Sequence, residues 1–378
     1  MAAVMVNRKL MGDAGANPLG QYRSMRDFER TPEPAGEEGA PETGARFVVQ
    51  EHHATALHWD FRLERDGVLV SWAVPKGVPP DPRVNHLAVH TEDHPLSYID
   101  FEGRIPEGEY GGGKVVLWDS GTYECHKWDE REVMVTLAGK RARGRYVLFR
   151  TGGKNWMMHR MDPPEDPGRE PMPSDLRPLD LPVGDLPSDE EAWSFEVALG
   201  SQRVLVASEG GRLRVLAGVG EVTTHFPELR LLGRAIGAVA VVLEGEVVAL
   251  GPDGRPDDAS LARRAEARSD AALRRLAEHS PVTFIAADVV WLEGHGTAVL
   301  PHRERRTLLD QLDLAGPAWQ TVPAHPGDGS ALLKATRTQG LAGVVARRSD
   351  GGYEPESLRF VAADPAAGGP SGVTAAGS

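Results

Sequence analysis

Between Arg46 and Met161 the chain breaks into short β-rich runs: Phe47–Gln50, Ala56–Glu64, Val68–Val74, His86–Thr91, Lys114–Trp118, Val133–Leu137, Arg145–Arg150 and Asn155–Arg160. Gly and Pro punctuate them, and little helical periodicity lies between. So many short strands at this spacing predict a β-barrel or sandwich. Asp66-Gly67, between Leu63 and Val68, is a hairpin turn and sets the Ala56–Glu64 strand beside Val68–Val74.

One of these runs carries the chemistry. In Gln50-Glu51-His52-His53-Ala54-Thr55-Ala56-Leu57-His58-Trp59-Asp60-Phe61-Arg62-Leu63-Glu64, strand alternation turns Leu57, Trp59, Phe61 and Leu63 one way and His58, Asp60, Arg62 and Glu64 the other. With His52 a short turn upstream, that polar face could give two His and one Asp to a metal and leave an Arg for an anion. Spacing alone favours a solvated face on an amphipathic strand, which is how most such alternation arises. Two further stretches are polar: Glu92-Asp93-His94-Pro95-Leu96-Ser97-Tyr98 sits at a strand end, where functional loops concentrate. Ile105–Gly113 is Gly-rich, but no helix or Lys follows at phosphate-loop spacing, so it reads as a tight turn.

At 378 residues the chain is too long for one ordinary core, and two domains are expected. The net charge of -13 is uneven: residues 1–160 hold 21 Lys and Arg against 23 Asp and Glu, nearly neutral. A local basic patch there, such as Lys140, Arg141, Arg143, Arg145, Arg150 and Lys154, could meet phosphates, although a solvated edge accounts for it as well. The lone cysteine, Cys125, excludes an intrachain disulfide, and no apolar run reaches the roughly 18 residues of a membrane helix. A cytoplasmic protein is expected.

Taken together, Tyr22–Phe28 with Thr31-Pro32-Glu33-Pro34, the His52–Arg62 stretch, Glu92–Tyr98, Gly108–Trp118 and the closing Gly153-Lys154-Asn155-Trp156 resemble the 3′-phosphoesterase domain of bacterial ligase D, an end-joining repair protein. The resemblance covers about Tyr22 to Asp162. It implies that His52, His58 and Asp60 hold a divalent metal, Mn before Zn or Co, and that Arg62, His94 and Tyr98 grip phosphate and act catalytically. Arg26, Asp27, Glu33, Gln50 and Glu92 would support the site, and His53 would be a bystander. Such an enzyme removes a 3′-terminal ribonucleotide and then the 3′-phosphate, leaving a 3′-OH. The implied partners are DNA 3′ ends and end-joining proteins such as Ku, a polymerase or a separate ligase, on the nucleoid. The chemistry of the donors agrees, since mixed N/O ligands suit such metals and an Arg can fork two phosphate oxygens. Two His and one carboxylate are also the facial triad of non-haem iron oxygenases. A non-catalytic scaffold that grips DNA ends is a further alternative.

Residues 163–190 are rich in Pro and acidic residues and read as a linker. Beyond it, strands at Arg203–Ala207 and Ala238–Ala249 alternate with helices at Ser260–Glu278, His302–Leu312 and Ser330–Gln339, the last stopped by Gly340. The expected class is α+β multidomain: a barrel at 21–162, a mixed α/β domain at 191–364, and loose tails at 1–20 and 365–378. The second domain resembles the nucleotidyltransferase core of ATP-dependent DNA ligases, through Trp193–Val197, Leu243–Val248, Pro281–Phe284 with Asp288, and Gly343–Ala346. Where that family has its nucleophilic Lys, this chain has Ala198; Arg203 and Glu246 match. Alanine has no amine to take AMP. A pseudo-ligase without ATP turnover is expected, serving as a docking module.

Overall fold

A computed structural model describes residues 18–36 and 44–364 and the backbone of the short strand Val373–Thr374. The expected tails at 1–20 and 365–378 fall largely outside the described residues, as do residues 37–43. The chain divides into two units, Met1–Pro171 and Met172–Ser378.

In the first unit, β1 (Arg46–His53), β2 (Leu57–Arg65), β3 (Val68–Val74) and β4 (Asn85–His90) are followed by the short β5 (His94–Pro95) and β6 (Gly103–Ile105). Then come β7 (Gly113–Trp128), β8 (Glu132–Ala138), β9 (Arg143–Gly152) and β10 (Asn155–Arg160). Among the described residues, eight strands close in the order β1-β2-β3-β4-β10-β9-β8-β7 and back to β1; β5 and β6 pair with β3 and β7. The barrel is the expected fold. Asp66 and Gly67 have φ of 49° and 80°, the left-handed pair that a two-residue hairpin needs.

The largest difference from the sequence reading is β7, expected to end at Trp118. It runs on to Trp128, pairing with β1 as far as Thr122 and with β8 from there. Asp119-Ser120-Gly121 has turn composition, but the Asp119 carboxylate is taken up by the N–H groups of Lys140, Arg141 and Ala142 at 2.7–3.0 Å. A Cβ on Gly121 would lie 2.3 Å from the Ala138 carbonyl, so glycine is what lets β8 approach here.

Register decides what faces what. His52 pairs with His58, Gln50 with Asp60, Val48 with Arg62, and Arg62 with Ser71 of β3. Directly opposed residues share a face. The other face carries Phe47, Val49, Trp59, Phe61, Leu63, Val70, Trp72 and Val74, all buried. The polar face is buried as well, because Tyr22 from the N-terminal segment and Leu96, Tyr98 and Ile99 pack on it beside Val48 and Leu69.

In the second unit one sheet joins His325–Pro326, Trp193–Ala198, Gly343–Arg348 and Leu358–Ala362, and a larger one is built on Gln202–Glu209, Val241–Ala249 and Val282–Leu292. The helix expected at Ser260–Glu278 is two, Asp258–Glu266 and Asp270–His279. Ala267 turns extended, and Ser269 Oγ caps the second helix by accepting from Ala272 N–H at 3.3 Å. The helix Gly329–Gln339 ends on Gly340 at φ 68°, as its sequence predicts. Residues expected to form a linker pack on this unit: Leu181 is buried beside Leu358 and Phe360, while Met172 and Leu176 lie against Leu205 and Trp291. No helix among the described residues is long and apolar enough to cross a membrane.

Candidate metal and phosphate site

The β1–β2 hairpin brings His52, His58 and Asp60 together, with one donor atom of each within 4.8 Å of the others. Each imidazole is oriented by a backbone carbonyl. His52 Nε2 lies 2.8 Å from the Gly111 carbonyl, and His58 Nδ1 lies 3.0 Å from that of Ala56. A carbonyl only accepts, so these nitrogens carry the protons. The other nitrogens, His52 Nδ1 and His58 Nε2, turn lone pairs toward the Asp60 carboxylate at 3.3 and 3.7 Å. Acceptors facing one another at this range repel unless a cation lies between them. Ligands about 2.1 Å from a common ion stand about 3–4 Å apart, and both His–Asp60 spacings fall in that range.

Beside this triad Arg62 is buried. Its Nε donates to Gln50 Oε1 at 2.8 Å, one terminal nitrogen to Ser71 Oγ at 2.9 Å, and the other to Asp60 Oδ2 at 2.9 Å. Three of its five N–H groups are thereby committed, leaving one on each terminal nitrogen. Burial alone would raise the Asp60 pKa, but the Arg62 guanidinium holds it far below the usual carboxylate range.

His94 Nδ1 donates to the Glu92 carbonyl at 2.9 Å, and its Nε2 accepts from Arg26 at 3.3 Å. Burial, with Arg62 and Arg26 nearby, keeps this imidazole neutral. Arg26 also donates to Glu33 at 2.8 Å and Glu92 at 3.1 Å, and the Tyr98 hydroxyl donates to Glu33 at 3.0 Å. Gln50 Nε2 reaches the carbonyls of Tyr98 and Phe101 at 3.1 and 2.9 Å, tying the metal hairpin to the segment that carries Tyr98.

Of the residues singled out in the sequence, Arg26, Glu33, Gln50, His52, His58, Asp60, Arg62, Glu92, His94 and Tyr98 form one connected network. Asp27 stands apart: it is exposed, and its carboxylate accepts from Glu29 N–H at 3.1 Å within its own turn. His53 turns to Glu51 at 2.7 Å. Sequence reasoning missed Ser71, the Gly111 carbonyl, Tyr22 and Tyr110. Ser71 had a signal, since the Asp66-Gly67 turn places a lone hydroxyl in an apolar strand directly across from Arg62.

In the second unit, Ala198 ends the strand Trp193–Ala198, and its neighbour Leu199 donates its N–H to Glu246 at 3.1 Å. Arg203 is paired with Glu246 in register, but its guanidinium turns to Glu244 and the Leu179 carbonyl. Arg347 fills the centre, donating to Glu196 at 2.8 Å and Glu244 at 2.7 Å and lying 3.3 Å from Asp288. Arg305 holds Asp288 from the other side at 2.8 Å. The Glu246 carboxyl is pushed up to about 7 by burial, against the pull of Arg203.

Residues 50–150 match the DNA Ligase D 3′-phosphoesterase domain, and residues 187–360 match the ATP dependent DNA ligase domain. The chain joins a ligase D phosphoesterase domain to an ATP-dependent DNA ligase domain. It is 42% identical to the multifunctional non-homologous end joining protein LigD of Mycobacterium bovis, over 90% of this chain and 44% of that protein. To its Pseudomonas aeruginosa namesake it is 32% identical, over 89% of this chain and 46% of the relative. It thus spans less than half the length of these ligase D relatives. Among solved structures, mycobacterial DNA ligase D complexed with ATP and MES is 28% identical over 50% of this chain and 60% of that one, with a TM-score of 0.42. Ala198 and Glu246 lie within the ligase-domain match, and the His52–Asp60 triad within the ligase D phosphoesterase match.

Proposed function

We propose that the first unit is a metal-dependent phosphoesterase that processes DNA 3′ ends for end joining, removing a 3′-ribonucleotide and a 3′-phosphate to leave a 3′-OH. The observation that carries this reading is the pair of imidazole lone pairs turned on one carboxylate, next to a buried arginine. His52, His58 and Asp60 would hold the metal, Mn before Zn or Co. When bound, it supplies Lewis acidity toward a phosphoryl oxygen and lowers the pKa of a bound water.

The remaining steps fall to the chain's own residues. The uncommitted N–H on each terminal nitrogen makes Arg62 an end-on fork for two phosphate oxygens, held square by Gln50, Ser71 and Asp60. His94, neutral with Nδ1–H pinned to Glu92, is an acceptor and holds Arg26 in place; as built it has no proton to give a leaving oxygen. Tyr98 orients Glu33, which in turn fixes Arg26. The Arg62 grip and the family match favour a phosphate ester over an oxygenase substrate for the same triad.

The second unit is read as ligase-inactive, because the residue at the end of Trp193–Ala198 offers no amine for a phosphoramide, and it would serve for docking. Other end-joining proteins would be its partners, and the chain would act on the nucleoid in the cytoplasm. The test is a primer-template ending in one ribonucleotide, or in a 3′-phosphate, incubated with Mn²⁺, with EDTA, and with His58→Ala. Metal- and His58-dependent conversion to a 3′-OH end is expected. Intact DNA with Mn²⁺, Zn²⁺, Co²⁺ and Mg²⁺ alike would leave only an end-binding scaffold. Incubation with labelled ATP should give no covalent adenylate.

A further inference from the structure

Of the tyrosines beside the site, Tyr22 and Tyr98 are at most 2% exposed, but Tyr110 is 47% exposed. Its loop is the Gly-rich turn between β6 and β7, and that turn is tightly built. Glu109 N–H donates to the Pro106 carbonyl at 3.2 Å and Gly112 N–H to the Glu109 carbonyl at 3.0 Å. Arg30 reaches across from the N-terminal segment to Glu109 at 2.9 Å. A Cβ on Gly112 would lie 2.8 Å from the Pro106 carbonyl, so the turn excludes side chains there.

The ring itself lies beside a charged group of the site. The Arg26 guanidinium lies 5.3 Å from its centroid. The next residue, Gly111, provides the carbonyl that orients the His52 imidazole. A ring carried on a tightly hydrogen-bonded turn, open to solvent over nearly half its surface and one residue from the carbonyl that orients a candidate metal ligand, offers a face for stacking rather than a core side chain. Every nucleobase offers a π-face to such a platform, which binds without reading sequence.

We propose that Tyr110 stacks on the nucleoside that bears the scissile 3′-phosphate and so positions the strand end at the site. This rests on the phosphoesterase reading above. Tyr110 is then a specificity-determining residue that prefers a nucleoside ester over a bare phosphate ester.

The test is a cycle of two changes on 3′-phosphate primer-templates: Tyr110→Ala in the full chain, and an abasic sugar in place of the nucleoside carrying the phosphate. One base–aromatic stack is worth on the order of tenfold in affinity. Tyr110→Ala should therefore raise KM about tenfold on the ordinary end with kcat within about twofold, and Tyr110→Phe should restore it. On the abasic end wild type and Tyr110→Ala should be equal. An equal loss on both ends, or a fall in kcat or in Mn²⁺ affinity by calorimetry, would overturn the stacking role and make Tyr110 a structural support. If wild type turned over neither end, the phosphoesterase reading would fail instead.

Discussion

Arg62 shows how far a single residue can tie fold to chemistry. Its guanidinium is the buried counter-ion of Asp60 and the link from β2 to Gln50 of β1 and Ser71 of β3. Removing it leaves a carboxylate, an amide and a hydroxyl without their donor, at a cost of about 3–5 kcal/mol. Arg62→Ala should lower the unfolding free energy by that amount in denaturant titration and abolish phosphate release; Arg62→Lys should recover part of the stability and little activity, because an ammonium cannot fork. Glu246 gives a pH-dependent counterpart in the second unit. Its folded carboxyl titrates near 7, above the ordinary 4.5, so the folded state favours the protonated form. The stability it contributes is present below pH 4.5 and is lost as pH rises through 7. Glu246→Gln should match wild type at pH 4 and exceed it by about 3 kcal/mol at pH 8, read by urea unfolding. At this scale much was legible in the chain: alternation alone put His58, Asp60 and Arg62 on one face. Ser71 needed the hairpin register as well, and Tyr22, Tyr110 and the Gly111 carbonyl reach the site through contacts far apart in sequence, which local patterning does not carry.

The elements repeat the lesson. Asp66-Gly67 and Gly340 are local signals with local consequences, and both turned out as their composition predicts. Strand β7 and the helix pair after Asp257 did not, because Asp119 finds its partners on the β8–β9 turn and Arg264 spends its guanidinium on Glu228 and the Leu276 and Ser280 carbonyls. Long-range partners overrode turn composition in one and helical periodicity in the other. Gly113, at the start of β7, is the most exposing test of such a contact: a Cβ there would lie 2.2 Å from the His53 carbonyl. Gly113→Ala must push β7 off β1 beside a metal ligand. It should cost about 1–3 kcal/mol by thermal melting and weaken Mn²⁺ binding by calorimetry, with every proposed ligand still present.

At the scale of the whole molecule, the described hydrophobic clusters each draw on one unit only. The segment from Met172 to Val183, whose Pro content reads as a spacer, belongs to the second of them through Leu176, Leu181 and Val183. Its side chains alternate between surface and pocket too irregularly for any period to betray them. Deleting residues 172–183 should therefore lower the melting temperature of the second transition in calorimetry and leave 3′-phosphate release by the first unit unchanged. Closure of the barrel through β1 and β7 has a kinetic counterpart. A strand of an open sheet can fray from its edge, but β1 and β2 are each paired on both sides. Amide protons of Gln50 to Arg62 that lie in the ladders should exchange with deuterium only through opening of the whole barrel, while those of the exposed Glu107 and Gly108 exchange within seconds. The ligand cage would then persist as long as the domain does, and metal would come and go through a frame that does not breathe.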